Sequence, residues 1–473
     1  MSDTKQAAVN PTPLIAVAAF SCLVVTLLQS LVVPAVPQFP AILDTSATTV
    51  SWLVTSTLLT GAIATPVIGR LGDLLPRRSM MIFTMALVLV GSMIAPLGGI
   101  TTVIIGRALQ GMGTALIPVA MAEMRYSLPP KRIGGALALL SAMLGIGGGL
   151  GIPLGGVILS AFGWQAMFWF AALMATISIV LIFMFVPADT SHNEGSFDYV
   201  GAILMSLGLT AVLTALSQGG AWGWGSMLTI GLFIVGIAIF IAWGYFELRL
   251  DSPLVNLRTT ADRPILLTNI ASILLGILMF TNLLLTTLEL QNPVAEGGFA
   301  WDASSAGLAM LPSAASMFAV APISARLAAR FGARLVVTIG SAITTLGYVG
   351  RLLLDPNGVM VIVWATVVAI GVGIGYAGLP MMIVKYAPAE ETGSANAVNA
   401  LMRSIGMAIS SAMVAAVTAT MAVIHEGAAV PSASGLNTLA TIGIVMGVVA
   451  TALSLAARHK NESQIDANHT VLD

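Results

Sequence analysis

Four ionisable residues lie inside long apolar stretches of this sequence: Arg107, Glu123, Glu289 and Arg403. An unpaired charge in an apolar medium is costly, so residues of this kind are placed for a purpose. A carboxylate there can take up and release a proton, and an arginine can hold an anion or tune a neighbouring acid. Three of them have plainer readings. Arg107 can snorkel to a surface, Glu123 can pair with Arg125 or Arg70, and Glu289 can sit at a wetted helix end. Gln29 stands in the first apolar run at a depth close to that of Arg107, about 22 Å from the start of the run at 1.5 Å per residue. Its amide hydrogen-bonds but carries no proton. His192, His425, His459 and His469 fall in loops or tails, and Cys22 is the single cysteine, so neither a metal site nor a disulfide is expected.

The elements that position these groups follow from composition. Of 473 residues, 57% are apolar and 8% charged, and residues 133–188 and 199–246 contain no Asp, Glu, Lys or Arg. Such a chain has lipid as its solvent, and in lipid each segment must satisfy its own backbone, which means helices. Apolar runs place fourteen spans near 14–36, 49–69, 80–98, 101–122, 134–158, 164–186, 200–218, 226–246, 265–289, 304–325, 334–354, 359–382, 395–422 and 437–457. The polar residues before Pro13 read as a short tail and not as a signal peptide. Basic residues set the orientation, because Lys and Arg resist translocation. With an inside N-terminus, all of the 19 except Arg107 and Arg351 fall in tails, in cytoplasmic loops or at cytoplasmic span ends. Both termini are therefore expected in the cytoplasm, with the loops around Asp44, Glu296 and Glu426 outside.

A spacing recurs within the chain. Pro129-x4-Gly134-Gly135-Ala136-x10-Gly147 is matched by Pro388-x4-Gly393-Ser394-Ala395-x10-Gly406, and the loop beginning at Gly69 is matched by the one beginning at Ala325. The expected fold class is thus an all-α polytopic membrane protein of two six-helix bundles plus two inserted helices. The divisions are 1–190, 191–260 for the inserted pair, and 261–473. Repeats of this kind in a chain without a soluble domain point to transport, with the solute held between halves that rock.

Three motifs carry a resemblance to the major facilitator superfamily, and the whole layout resembles its fourteen-span drug:proton antiporter branch. The loop Gly69-Arg70-Leu71-Gly72-Asp73, with Arg77 and Arg78, is similar to the family's Gly-x-Leu-x-Asp loop. The resemblance implies a latch and conformational switch there, with Arg326, Arg330, Arg334 and Arg403 as second-half counterparts; the second copy has Ala329 where the family sometimes has Asp. Arg107-x2-Gln110-Gly111-x-Gly113 resembles the family's Arg-x-x-Gln-Gly-x-Gly. Gly147-x3-Gly151-Ile152-Pro153-Leu154-Gly155-Gly156 resembles the antiporter motif that marks exporters, with Ile152 in place of Pro. Glycines four apart offer a groove into which another helix packs and slides.

The resemblance implies proton-coupled export of hydrophobic or amphiphilic small molecules. The family's span-one Asp is replaced here by Gln29, so coupling falls to another acid. Gln29, Arg107, Gln110, Glu123 and Glu289 form the cavity and coupling set, and Thr55, Asn269, Asn282, Asn396 and Asn399 are further candidate lining groups. Alternatives remain: an uncoupled facilitator or importer of the same fold, an exporter of lipid-like or sugar-like metabolites, or a receptor built on transporter parts. No Gly-x4-Gly-Lys-Ser/Thr loop supports a nucleotide-driven pump, and no His-Glu-x2-His or Gly-x-Ser-x-Gly setting supports an enzyme. No cofactor beyond a proton gradient is expected. The partners are a small solute and the bilayer of the cell membrane, without nucleic acid, and the chain is expected to be monomeric.

Single cysteines introduced near Asp44 or Glu296 should react with a membrane-impermeant thiol reagent on intact cells, and cysteines near Arg77 or Lys131 should not. The reverse pattern would invert the topology.

Overall fold

The computed structural model describes residues 11–457 apart from 37, 46, 189–196, 251–252, 355–356, 389–390 and 426–427. Lys5, Arg458, Lys460 and Glu426, which enter the charge pattern, lie outside the described residues. Among the described residues fourteen helices are long and apolar enough to cross a membrane. Spans 1 to 6 are Pro11–Ala35, Trp52–Leu74, Arg77–Leu97, Ile100–Ser127, Pro130–Phe162 and Trp164–Phe185. The inserted spans 7 and 8 are Tyr199–Gly220 and Met227–Glu247. Spans 9 to 14 are Arg263–Gln291, Ser305–Ala328, Ala333–Leu353, Gly358–Tyr386, Thr392–Thr418 and Ala433–Ala456.

Several helix starts are written into the sequence. The side chains of Asp198, Ser226, Asn357 and Ser432 accept bonds from the N–H groups of Gly201, Thr229, Met360 and Gly435, capping spans 7, 8, 12 and 14. Span 13 is preceded by Glu391, whose side chain makes no such bond. Two local features depart from the sequence reading. Span 10, expected as one run over 304–325, is broken into Ala303–Leu308 and Leu311–Phe331, with Pro312 in the first turn of the second piece, where its missing N–H cannot continue the preceding turn. After span 13 an antiparallel hairpin pairs Ala422–His425 with Ala428–Pro431; strands of four residues are too short for alternation to announce them.

Each bundle is held by its first and fifth helices. On span 5, a Cβ added at Gly147, Gly151 or Gly155 would stand 2.0 Å from Thr26 Oγ1, 2.1 Å from Ser30 Oγ and 2.0 Å from the Leu31 carbonyl oxygen of span 1. On span 13, a Cβ at Gly406 would stand 2.1 Å from the Ile273 carbonyl oxygen of span 9. Gly147 and Gly406 are the matching glycines of the repeat, so the bundles share an interface as well as a spacing. The groove of the glycine motif is therefore filled from within its own bundle. Contact with the other bundle comes from glycines two positions off that line: Gly145 meets Met317 and Gly149 meets Ala314, both on span 10. Pro153 lies within the continuous helix Pro130–Phe162, and Gly156 faces open space.

Spans 7 and 8 pack on each other through Gly208 against Phe240 and Gly236 against Val212. Span 7 is the attached member. Ser217 Oγ and Thr55 Oγ1 of span 2 are 2.5 Å apart, Gln218 Nε2 donates to Thr55 Oγ1 at 3.0 Å, and Leu209 and Leu213 cluster with Ala62 of span 2 and with Val398 and Leu401 of span 13. The inserted pair covers the seam between spans 2 and 13, and span 8 turns Ile234 and Ile241 outward.

Gly151→Val is expected to lower the thermal midpoint of the detergent-purified protein, in line with an overpacking cost of about 1–3 kcal/mol. Gly156→Val should leave it unchanged, and equal effects would contradict the packing of span 5 on span 1.

Candidate functional site: an inter-bundle latch and buried arginines

Arg77, Lys131 and Lys385 lie at the ends of spans 3, 5 and 12 that share one end of the bundles, here called the basic end. There Asp73, in the last turn of span 2, is buried. Its Oδ1 accepts from the N–H of Gly393 at 2.9 Å and its Oδ2 from the N–H of Ser394 at 2.8 Å. These are first-turn amides of span 13, which have no acceptor within their own helix, and the positive end of the helix dipole favours a carboxylate. Hydrogen bonds to a charged group contribute roughly 1.5–3 kcal/mol each. Gly69, one turn before Asp73, makes the approach possible: a Cβ there would stand 2.5 Å from Ala397 Cβ.

Other groups converge on the same helix start. Arg125 of span 4 donates to Thr392 Oγ1. Glu391 accepts from Asn256 Nδ2 at 2.8 Å and from Thr259 Oγ1 at 2.9 Å, both in the segment between spans 8 and 9. Arg70 lies within electrostatic range of Asp73, and Gly72 faces Val119 of span 4. Arg77 stacks 4.5 Å from the Tyr126 ring centroid, and Arg78 donates to the Phe183 carbonyl oxygen at 2.5 Å. In the second copy of the loop, Arg326 and Arg330 are exposed and Arg334 donates to Leu455 O of its own bundle at 3.5 Å. Of the two loop copies, the one with the carboxylate makes the charged side-chain bonds across the bundles.

At membrane depth, Arg107 is 3% exposed. Its Nη1 donates to the Leu28 carbonyl oxygen at 2.9 Å and to Gln110 Oε1 at 3.0 Å, and its Nη2 donates to the Gln29 carbonyl oxygen at 3.1 Å. Gln110 Nε2 in turn donates to Ser92 Oγ at 2.8 Å. Arg107 therefore joins span 4 to the backbone of span 1, and the half-buried Gln29 serves it through its main chain. Glu289 does not reach Arg107. Arg351, on span 11, contacts its Oε2 from Nε at 3.0 Å and from Nη2 at 2.6 Å, and also donates to Asn282 Oδ1 at 2.6 Å and Thr286 Oγ1 at 2.7 Å. Glu123 is 2% exposed and accepts from the Ser127 hydroxyl one turn away. Arg403, counted above among the basic span ends, is 8% exposed and lies deep: it is about 17 Å along span 13 from Thr392, with its guanidinium carbon 5.1 Å from the Tyr376 ring centroid.

The family model for the Major Facilitator Superfamily matches residues 18–411. The chain belongs to the major facilitator superfamily. It is 27% identical over 337 residues to the uncharacterized MFS-type transporter YhcA of Bacillus subtilis (strain 168), covering 71% of this chain and 62% of that one. It is 25% identical over 416 residues to the tetracenomycin C resistance and export protein of Streptomyces glaucescens, covering 87% and 76%. Among solved structures, the human organic anion transporter MFSD10 (TETRAN) matches with a TM-score of 0.66 at 14% identity, over 94% of this chain and 99% of that one, a likeness of fold. This superfamily member is a multi-pass membrane transporter and not an enzyme.

Most of the polar groups suggested as cavity lining act between or within helices of this facilitator fold. Asn399 Nδ2 donates to Asn269 Oδ1 at 3.0 Å and to Ser272 Oγ at 2.7 Å, Asn282 Nδ2 to Ala365 O at 3.1 Å, and Asn396 Nδ2 to Thr392 O at 3.0 Å. The cluster around Arg351 went unanticipated, because Arg351 reads from sequence as an outer-side cation. Its signal was present: Asn282, Thr286 and Glu289 are spaced four and three apart, a polar stripe on one helix face.

Removing one partner of a buried ion pair costs about 3–5 kcal/mol, whereas replacing both with apolar groups is far milder. Arg351→Met is therefore expected to destabilise the purified protein strongly, and the pair Arg351→Met with Glu289→Leu to recover most of the loss. Additive losses in a thermal double-mutant cycle would argue against the pairing.

Proposed function

We propose that this chain is a secondary active exporter of hydrophobic or amphiphilic small molecules, working by alternating access in the cell membrane with its basic end in the cytoplasm. The observation that carries the reading is the cap placed on span 13 by Asp73. Two hydrogen bonds and a glycine contact join the bundles at one end, and a joint of this size is made and broken as a unit when rigid bodies rock. While it holds, the basic end is shut; when it opens, water replaces both partners. Export is supported by the similarity to the tetracenomycin C resistance and export protein, and an apolar solute by the composition of the spans.

Proton antiport supplies the drive in this reading, with Glu289 as the coupling acid. It lies at the end of span 9 remote from the basic end, and a proton bound there removes the charge that holds Arg351. Protons entering from outside would so loosen span 9 from span 11. One observation favours the runner-up, an uncoupled facilitator of the same fold: Gln29 stands where the resembling branch carries its titrating Asp, and Glu289 already has a cation.

Efflux of a panel of fluorescent amphiphiles separates these readings. Asp73→Asn keeps one acceptor but turns an amide N–H toward a helix N–H, so transport is expected to fall about tenfold, the scale of one lost charge-assisted bond. Membrane abundance should stay near normal. Dissipating the pH gradient with nigericin should stop wild-type efflux. Flux that ignores the gradient would leave the facilitator, and unimpaired Asp73→Asn would remove the latch.

A further inference from the structure

Three arginines of this transporter are buried among its spans, and they differ in what receives their protons. Arg107 is matched by the carbonyls of Leu28, Gln29 and Leu53 and by the Gln110 amide, and Arg351 by Glu289, Asn282 and Thr286. For Arg403, the contact in the structure is the face of Tyr376 at 5.1 Å, a cation–π interaction that leaves the N–H fork unfilled. The Tyr376 hydroxyl is itself buried with no hydrogen-bond partner among the described residues. Donors without acceptors therefore sit side by side.

Their place in the fold adds weight. Tyr376 lies about 15 Å along span 12 from Tyr386, and Arg403 about 17 Å along span 13 from Thr392, so both reach the middle of the membrane from the basic end. The nearby carboxylates are committed elsewhere. Glu289 is held by Arg351, Asp73 caps span 13, and Glu123 lies within about 6 Å of the end of span 4 at 1.5 Å per residue. The interior thus presents the charges of Arg107 and Arg403 with no counter-carboxylate at their depth among the described residues. A field of this sign attracts anions and repels cations.

We infer that Arg403 and Tyr376 form the binding point for a carboxylate-type anionic group on the transported solute, an assignment that rests on reading the chain as a transporter. A planar guanidinium fork fits two carboxylate oxygens, and the adjacent phenol donates a third bond. The site lies on the helix whose first turn Asp73 caps, so an anion drawn to Arg403 pulls on the same rigid body that the latch releases.

The test is binding to the full-length protein purified in detergent, with 11-(dansylamino)undecanoic acid and its methyl ester as probes. The pair differs in charge and little in shape. Wild type is expected to bind the acid at least about tenfold more tightly than the ester, as charge-assisted bidentate pairing implies. Arg403→Gln should erase that preference by weakening the acid alone, Arg403→Lys should restore part of it, and Tyr376→Phe should weaken the acid about threefold. If Arg403→Gln does not fold, the one-atom deletion in Tyr376→Phe and the wild-type comparison still decide. Equal affinity for acid and ester in wild type, absence of binding to both included, overturns the inference, as does a preference that survives both Arg403→Gln and Tyr376→Phe. Vesicle flux separates this from the transport reading: acid preference without flux supports the site and removes the transport reading, while equal flux of acid and ester removes the site and keeps the transport reading.

Discussion

Span 13 begins without a cap of its own, and the carboxylate that completes it belongs to the other bundle. Spans 7, 8, 12 and 14 each carry a Ser, Asn or Asp that satisfies their first amides locally. Span 13 instead leaves Gly393 and Ser394 to Asp73. A helix start that is incomplete until two bodies meet converts a rule of secondary structure into a rule of assembly. The glycines follow from it. Gly69 is needed where span 2 passes Ala397, and Gly393 because a Cβ there would stand 2.2 Å from Asp73 Oδ1.

Within each bundle the same economy appears in how buried cations are held. Arg107 and Arg351 both reach the first helix of their own bundle, yet one takes main-chain carbonyls and the other a carboxylate. A carbonyl-bound arginine keeps its positive charge in the local field; an ion pair cancels it. Two bundles of similar architecture therefore differ in electrostatics, the first cationic near its remote end and the second close to neutral there. The asymmetry arises from single residues on a shared plan of helices.

The fold was legible because lipid permits few alternatives: a charge-poor run of twenty residues must be a helix, and repeats with matching glycines must be paired bundles. The span limits were therefore close. Asp73 stood out in its loop motif, but its partners did not, since backbone amides leave no trace in a side-chain pattern. The motif glycines announced close packing without saying which helix they pack against. The partners of Arg351 were not legible, because topology counts place a residue along the membrane normal and say nothing of the face it presents. Its partners lie on span 9, more than sixty residues away, where a polar stripe was open to notice. The break in span 10 was signalled by Pro312, and the hairpin after span 13 by nothing distinctive.

The placement of spans 7 and 8 has a consequence for how the protein meets the bilayer. Two bundles meet along two seams, one between spans 2 and 13 and the other between spans 5 and 10. The first is roofed by the inserted helices, whose Leu209 and Leu213 fill it. On the second, Val157 and Leu308 are more than half exposed. The protein thus presents a front and a back to the lipid around it: one flank where the inserted helices roof the seam, and one where the seam between spans 5 and 10 meets the lipid directly among the described residues.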